Sequence, residues 1–275
     1  MLKRTITAVV AVAIFIPVCR FSGTAVWPAA MTILSLVASY EMTKCVGALA
    51  HPSLAVPAFL TAAILPWAAY VPGSDGFSLL LPVCGCYLIW TFAADVFTRG
   101  KIDFEVSAAS FTGIFYTATS FAFLVLLRAF GPYRYLLVFI GPWVSDTFAY
   151  LVGRAIGKHK LIPEVSPKKT VEGAVGGVVF AALAFVLYGW IVERFFAPDK
   201  DVSLWIMALA GAVVAVISQI GDLAMSVIKR RYGIKDYGFL FPGHGGVLDR
   251  FDSVLLTAPV LLFLSQIPAL SATLV

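Results

Sequence analysis

The chain has 275 residues, of which 60% are hydrophobic and only 13% charged, against roughly 45–50% apolar and about 25% charged in an ordinary soluble domain. That composition excludes a soluble globular protein, and because each span uses about 20 apolar residues it leaves no room for a sizeable separate soluble domain. The net charge of +5 matters through its distribution, and Cys19, Cys45, Cys84 and Cys86 contain no CxxC pair, which argues against a zinc site or a disulfide scaffold.

Taken in chain order, apolar runs bounded by charge, Pro or Gly predict nine helices, at about 5–19, 24–40, 54–71, 77–97, 106–127, 133–153, 171–192, 203–228 and 252–270. Lys3 and Arg4 ahead of the first run resemble the start of a secretory signal. Ile16-Pro17-Val18 lacks the small-residue cleavage pattern, however, so the first run is expected to stay as an uncleaved helix. No run has the alternating period of a barrel strand. The fold class is therefore all-α, a polytopic membrane helix bundle. Residues 1–130 are expected to form N-terminal transmembrane helices serving as scaffold, dimer or lipid-facing elements. Residues 131–275 are expected to form a catalytic transmembrane part with two basic cytoplasmic loops, 153–170 and 229–250.

With the N-terminus inside, Arg20, Arg128, Arg134, Arg194 and Lys200 fall outside, and the other fifteen of the 20 Lys and Arg residues fall inside. This bias supports an N-in, C-out topology under the positive-inside rule. The two large inner loops hold ten of those fifteen. Topology alone could explain the lysines and arginines, but it does not explain the carboxylates beside them.

Asp146 lies inside the sixth run and Asp222 inside the eighth, where ionised groups are costly and usually mark function. On the eighth helix Asp222, Ser226 and Lys229 recur at spacings of four and three, with Ser218 or Gln219 one turn earlier, giving one polar stripe. A structural ion pair between Asp222 and a basic residue is the alternative. Asp249 and Asp252 share a face at the start of the ninth helix, where N-capping is the competing explanation. Between these elements lies Pro242-Gly243-His244-Gly245-Gly246, whose backbone could approach phosphate oxygens closely. Ser166, Lys168, Lys169 and Thr170 supply further donors, and Gly176 and Gly177 suit close helix packing. Gly153 to Lys158 has the wrong spacing for a P-loop and no Ser or Thr after the lysine. Carboxylates favour Mg²⁺, which takes one or two of them plus substrate phosphates; with a basic surround, the set suits phosphoryl or nucleotidyl transfer.

The stretch from Ser226-Val227-Ile228-Lys229-Arg230 through Lys235-Asp236-Tyr237-Gly238 and Phe241-Pro242-Gly243-His244-Gly245-Gly246-Val247-Leu248-Asp249-Arg250-Phe251-Asp252 resembles the signature of the phosphatidate cytidylyltransferase (CDP-diacylglycerol synthase) family. Ser145-Asp146-Thr147 through Ser166-Pro167-Lys168-Lys169-Thr170-Val171-Glu172-Gly173 is similar to the family's other motif. The resemblance implies transfer of CMP from CTP to phosphatidate with release of pyrophosphate, a Mg²⁺ requirement with room for a second, monovalent cation, and a protein that is often a homodimer. It implies no nucleic-acid partner, and a site on the cytoplasmic side of a bacterial inner membrane. Carried onto this chain, it implies Asp222 and Asp249 as metal ligands, with Asp252 and Asp146 as further candidates. Lys229 and His244 join Asp222 and Asp249 as catalytic candidates, a structural role for His244 being the alternative. Ser166, Lys168, Lys169, Ser226, Arg230, Lys235, Gly245, Gly246 and Arg250 are the candidate phosphate-binding residues. Transport through intramembrane carboxylates and CTP-dependent phosphorylation of an isoprenoid lipid such as dolichol are the competing readings.

Overall fold

The computed structural model describes residues 2–71, 76–243, 245–271 and 274. Its long elements are nine helices: α1 (Leu2–Arg20), α2 (Val26–Cys45), α3 (Pro52–Ala68), α4 (Leu80–Phe97), α5 (Phe104–Ala129), α6 (Leu137–Ile156), α7 (Val171–Phe195), α8 (Leu204–Arg231) and α9 (Leu248–Gln266). Each coincides with one of the nine predicted runs. Five of them, α4 to α8, are long and apolar enough to cross a membrane, α6 together with the 3-10 turn that precedes it. Residues 9–20 and α3 are shorter apolar helices, and α2 and α9 carry charged residues within their length. Nine long helices are thus present among the described residues, while length and apolarity alone qualify five as spans. Large apolar side chains such as Leu81, Phe97 and Trp205 are exposed along the helices, as lipid-facing residues are in an integral membrane protein.

The expectation of purely helical structure needs one correction. The basic segment after α6 folds into an antiparallel hairpin, β1 (Lys160–Ile162) with β2 (Ser166–Thr170), in which Lys160 faces Thr170 and Ile162 faces Ser166. Pro163 and Glu164 fall in the turn between the strands.

The chain forms two compact units. The first comprises residues 1–126 and 231–251, that is α1 to α4, most of α5, the loop after α8 and the first turn of α9. Its core packs Trp27, Met31 and Met42 of α2 with Leu54 and Leu65 of α3 and Ile114, Phe121 and Leu124 of α5, all essentially unexposed. The Trp27 indole N–H donates to the Leu124 carbonyl at 3.1 Å, which satisfies the buried ring nitrogen. Between α4 and α5, Ser107 Oγ donates to Asp95 Oδ1 at 2.5 Å.

The second unit comprises residues 127–230 and 252–275, that is α6, the hairpin, α7, α8 and the rest of α9. Small residues let these helices approach closely. A Cβ on Gly211 of α8 would lie 2.9 Å from the Ala181 carbonyl oxygen of α7, and one on Gly177 of α7 would lie 2.8 Å from the Ser145 carbonyl oxygen of α6. Gly221 likewise brings α8 against α9, where an added Cβ would lie 2.7 Å from the Asp252 carbonyl oxygen. Contact of this kind carries the weight of helix association in lipid, where burial of apolar surface offers no advantage.

Candidate active site

The second unit brings ionisable groups of α6, α8, α9 and the hairpin into contact. Lys169 of β2 forms an ion pair with Asp222 Oδ2 of α8, both side chains 26% exposed. Strand alternation sends Lys168 the other way, where it is exposed. On α9, Ser253 Oγ lies 3.3 Å from Asp146 Oδ2 and 3.4 Å from Asp252 Oδ1, so one hydroxyl bridges carboxylates of two helices. The Ser253 backbone N–H also donates to Asp252 Oδ1 at 2.8 Å. Asp252 sits within the fields of Asp222 and Asp146, and the Lys229 ammonium offsets that repulsion.

The scaffold beneath these groups is polar as well. Gln219 Nε2 donates to Ser145 Oγ at 3.1 Å and to the Ala174 carbonyl at 3.0 Å, cross-linking α8 to α6 and α7 one turn before Asp222. Ser218, the other residue expected on the stripe, instead turns back to its own helix and donates to the Ala215 carbonyl.

The hairpin is fixed to α7 by a cap. Thr170 Oγ1 accepts the Gly173 N–H at 3.2 Å, and Glu172 accepts the His159 backbone N–H while its Oε1 lies 2.6 Å from His159 Nδ1. An added Cβ on Gly153, Gly157 or Gly173 would come within 2.9 Å of that threonine oxygen. These glycines clear space for the cap at the end of α6, which explains why Gly153 to Lys158 resembles a P-loop without lying in a strand–loop–helix context.

In the first unit, the loop preceding α9 is stitched by two carboxylates. Asp249, 7% exposed, accepts the N–H groups of Tyr237 and Gly246 on Oδ2, at 2.8 and 3.0 Å. Glu41, from α2, accepts those of Val247 and Leu248 at 3.0 and 2.8 Å. The Gly246 N–H, one of the groups expected to face a phosphate, is therefore turned to Asp249. Gly245 has φ +86°, and its Cα lies so near Asp249 that a Cβ would stand 2.7 Å from Oδ2. Both N–H groups belong to the loop rather than to the first turn of α9, so Asp249 holds the loop instead of capping its own helix.

The other predicted residues divide by exposure. Ser166, Ser226 and Lys229 are half-buried, whereas Arg230, Lys235 and Arg250 are exposed; His244 lies outside the described residues. Three contributors were not predicted, Glu41, Ser145 and Ser253, and Gln219 was expected only as one of two alternatives on the α8 stripe. Glu41 carried a signal, being the single acidic residue among the first 74.

Hard carboxylate oxygens suit Mg²⁺. Among the described residues no three of His, Cys, Asp and Glu are gathered closely enough to hold an ion by themselves. An ion held here would have to complete its shell with water and phosphate oxygens, the manner in which Mg²⁺ is usually bound.

Comparison with known proteins identifies the family. The sequence profile of the cytidylyltransferase family matches residues 2–267. A phosphatidate cytidylyltransferase of Staphylococcus haemolyticus is 32% identical over 262 residues, covering 94% of this chain and 96% of that protein. Proteins of the same name from Staphylococcus aureus (32% identity) and Staphylococcus epidermidis (31%) align over the same 94% and 96% shares. The chain belongs to the cytidylyltransferase family.

Proposed function

We propose that this protein is a CTP:phosphatidate cytidylyltransferase, which joins CMP to phosphatidate and releases pyrophosphate. The observation that carries the reading is the gathering of Asp146, Asp222 and Asp252 from three helices with Lys169 and Lys229. The reaction needs little acid–base chemistry. A phosphate oxygen of phosphatidate attacks the α-phosphorus of CTP, a new P–O–P bond forms, and the bond to the pyrophosphate oxygen breaks. The nucleophile is already anionic, so the barrier lies in bringing two anions together.

Each group has work suited to that barrier. Asp222, Asp252 and Asp146 in the second unit and Asp249 in the first are the candidates of which one or two would hold Mg²⁺, an ion that would neutralise phosphate charge and stabilise the departing pyrophosphate. Lys169 keeps the Asp222 carboxylate oriented, and Lys229 balances the negative charge at Asp252. Lys168, Arg230, Lys235 and Arg250 are exposed cations suited to the triphosphate, while Ser166 and Ser226 offer hydroxyl donors. His244 is the candidate proton donor to the leaving group. Because acyl chains remain in hydrocarbon, the headgroup meets CTP at the membrane surface. The basic residues of loops 153–170 and 229–250 support a cytoplasmic surface under the positive-inside rule, and the proposal includes an N-in, C-out chain of nine spans acting as a homodimer.

The test is reconstitution of the purified protein in phosphatidate-containing vesicles with labelled CTP and Mg²⁺. CDP-diacylglycerol and pyrophosphate in equal amounts are expected, with loss of product when Mg²⁺ is chelated. Lipid labelled from γ-labelled CTP when dolichol replaces phosphatidate, with none labelled from α-labelled CTP and phosphatidate, or no labelled lipid in either case, overturns the assignment.

A further inference from the structure

Glu41 is buried at 3% exposure at the end of α2, and its two carboxylate oxygens each take a different backbone N–H from the start of α9. A helix N-terminus leaves its first N–H groups without intrahelical partners and carries partial positive charge. A bidentate carboxylate meets both needs, and the two charge-assisted bonds offset the cost of burying it. The loop is shaped around this group. A Cβ on Gly238 or on Gly246 would collide with the Glu41 carboxylate, so glycine at both positions lets the backbone close over it. On the other side of the same loop, Asp249 holds Tyr237 and Gly246. Thr7 of α1 adds a third tie, donating to the Pro242 carbonyl at 3.2 Å. Four N–H groups of one loop are thus fixed by two carboxylates, one of them contributed more than 200 residues earlier in the chain.

We propose that Glu41 is a positioning residue for the reaction. By gripping the N–H groups of Val247 and Leu248 it fixes the loop conformation from which Asp249 is presented. The proposal rests on the reading of Asp249 as a Mg²⁺ ligand, and it gives the N-terminal helices a part in the chemistry beyond anchoring.

Glu41→Gln tests it in the full-length protein. The amide retains one acceptor and turns an N–H₂ donor toward the other backbone N–H. Loss of one such bond corresponds to about a tenfold effect. Hydrogen exchange in the segment 238–251 is expected to accelerate about tenfold with other segments unchanged, and the Mg²⁺ concentration giving half-maximal activity is expected to rise by about the same factor. A residue that only supports the fold would lower the active fraction without moving the Mg²⁺ dependence. Unchanged exchange in 238–251, an unmoved Mg²⁺ dependence, or an equal loss of protection in every helix overturns the proposal. Should the amide variant not fold, Glu41→Asp, which withdraws the charge by one methylene, is expected to shift both measurements in the same directions, and matching the parent protein in both overturns it. A parent protein that makes no CDP-lipid would remove the cytidylyltransferase reading on its own, and the exchange comparison would still decide whether Glu41 holds the loop.

Discussion

Two adjacent lysines on β2 have different surroundings because strand side chains alternate. Lys169 is half-buried against Asp222, and Lys168 is exposed. An ion pair with this much exposure contributes at most about 1 kcal/mol to stability, so its removal is expected to show in turnover rather than in folding. Lys169→Ala should reduce CDP-lipid formation about 100-fold with little change in thermal unfolding, whereas Lys168→Ala should reduce it less than about tenfold; equal losses in the two would show that the Asp222 pair has no special part. Gly246→Ala is expected to cost about 1–3 kcal/mol, measured by thermal unfolding in detergent, because its methyl group must displace the Glu41 carboxylate. Lys168, Lys169, Gly245 and Gly246 could be read in the sequence as a basic, flexible phosphate site. Which lysine faces the carboxylate could not, since it depends on strand phase in a segment too short and polar to show a period. Glu41 was hidden for a different reason: it looks like a charge at the end of a hydrophobic run, and only the fold brings it to residues 247 and 248.

The helices were legible because an apolar run is both the signal and the cause of a helix in lipid, where every backbone group must be satisfied within the segment. Their ends were less so. α9 starts at Leu248, four residues before its apolar run, because Glu41 satisfies the N–H groups of Val247 and Leu248 at its start. α8 continues to Arg231, so its basic end lies at the negative pole of the helix, where cations are favoured. The hairpin was read as loop, since Pro163 and Pro167 with four lysines and a histidine nearby hide any strand pattern. Its position depends on the Thr170 cap. Thr170→Ala is expected to cost about 1 kcal/mol in thermal unfolding and also to lower turnover, because β2 carries Lys169; stability loss with full turnover would show that the cap does not set the site.

For the molecule as a whole, charge distribution in the sequence predicts which loops share a side of the membrane, and hydropathy does not reveal that residues 231–251 pack with the N-terminal helices. In a background without the four native cysteines, Glu164→Cys in the hairpin turn should react with an impermeant thiol reagent only from the cytoplasmic side, and Asp199→Cys between α7 and α8 only from the opposite side; the reverse pattern would overturn the N-in orientation. The claim on which the chemistry depends is that carboxylates from separate helices act as one site. It is tested most directly by measuring turnover in Asp222→Asn, Asp252→Asn and the double variant, each reconstituted with saturating CTP and phosphatidate. Residues that act as a unit are strongly non-additive, so each single change is expected to lower turnover about 100-fold and the double change to fall no further than the worse single one. Near-parental turnover in either single variant, or losses that multiply in the double, would contradict a shared site.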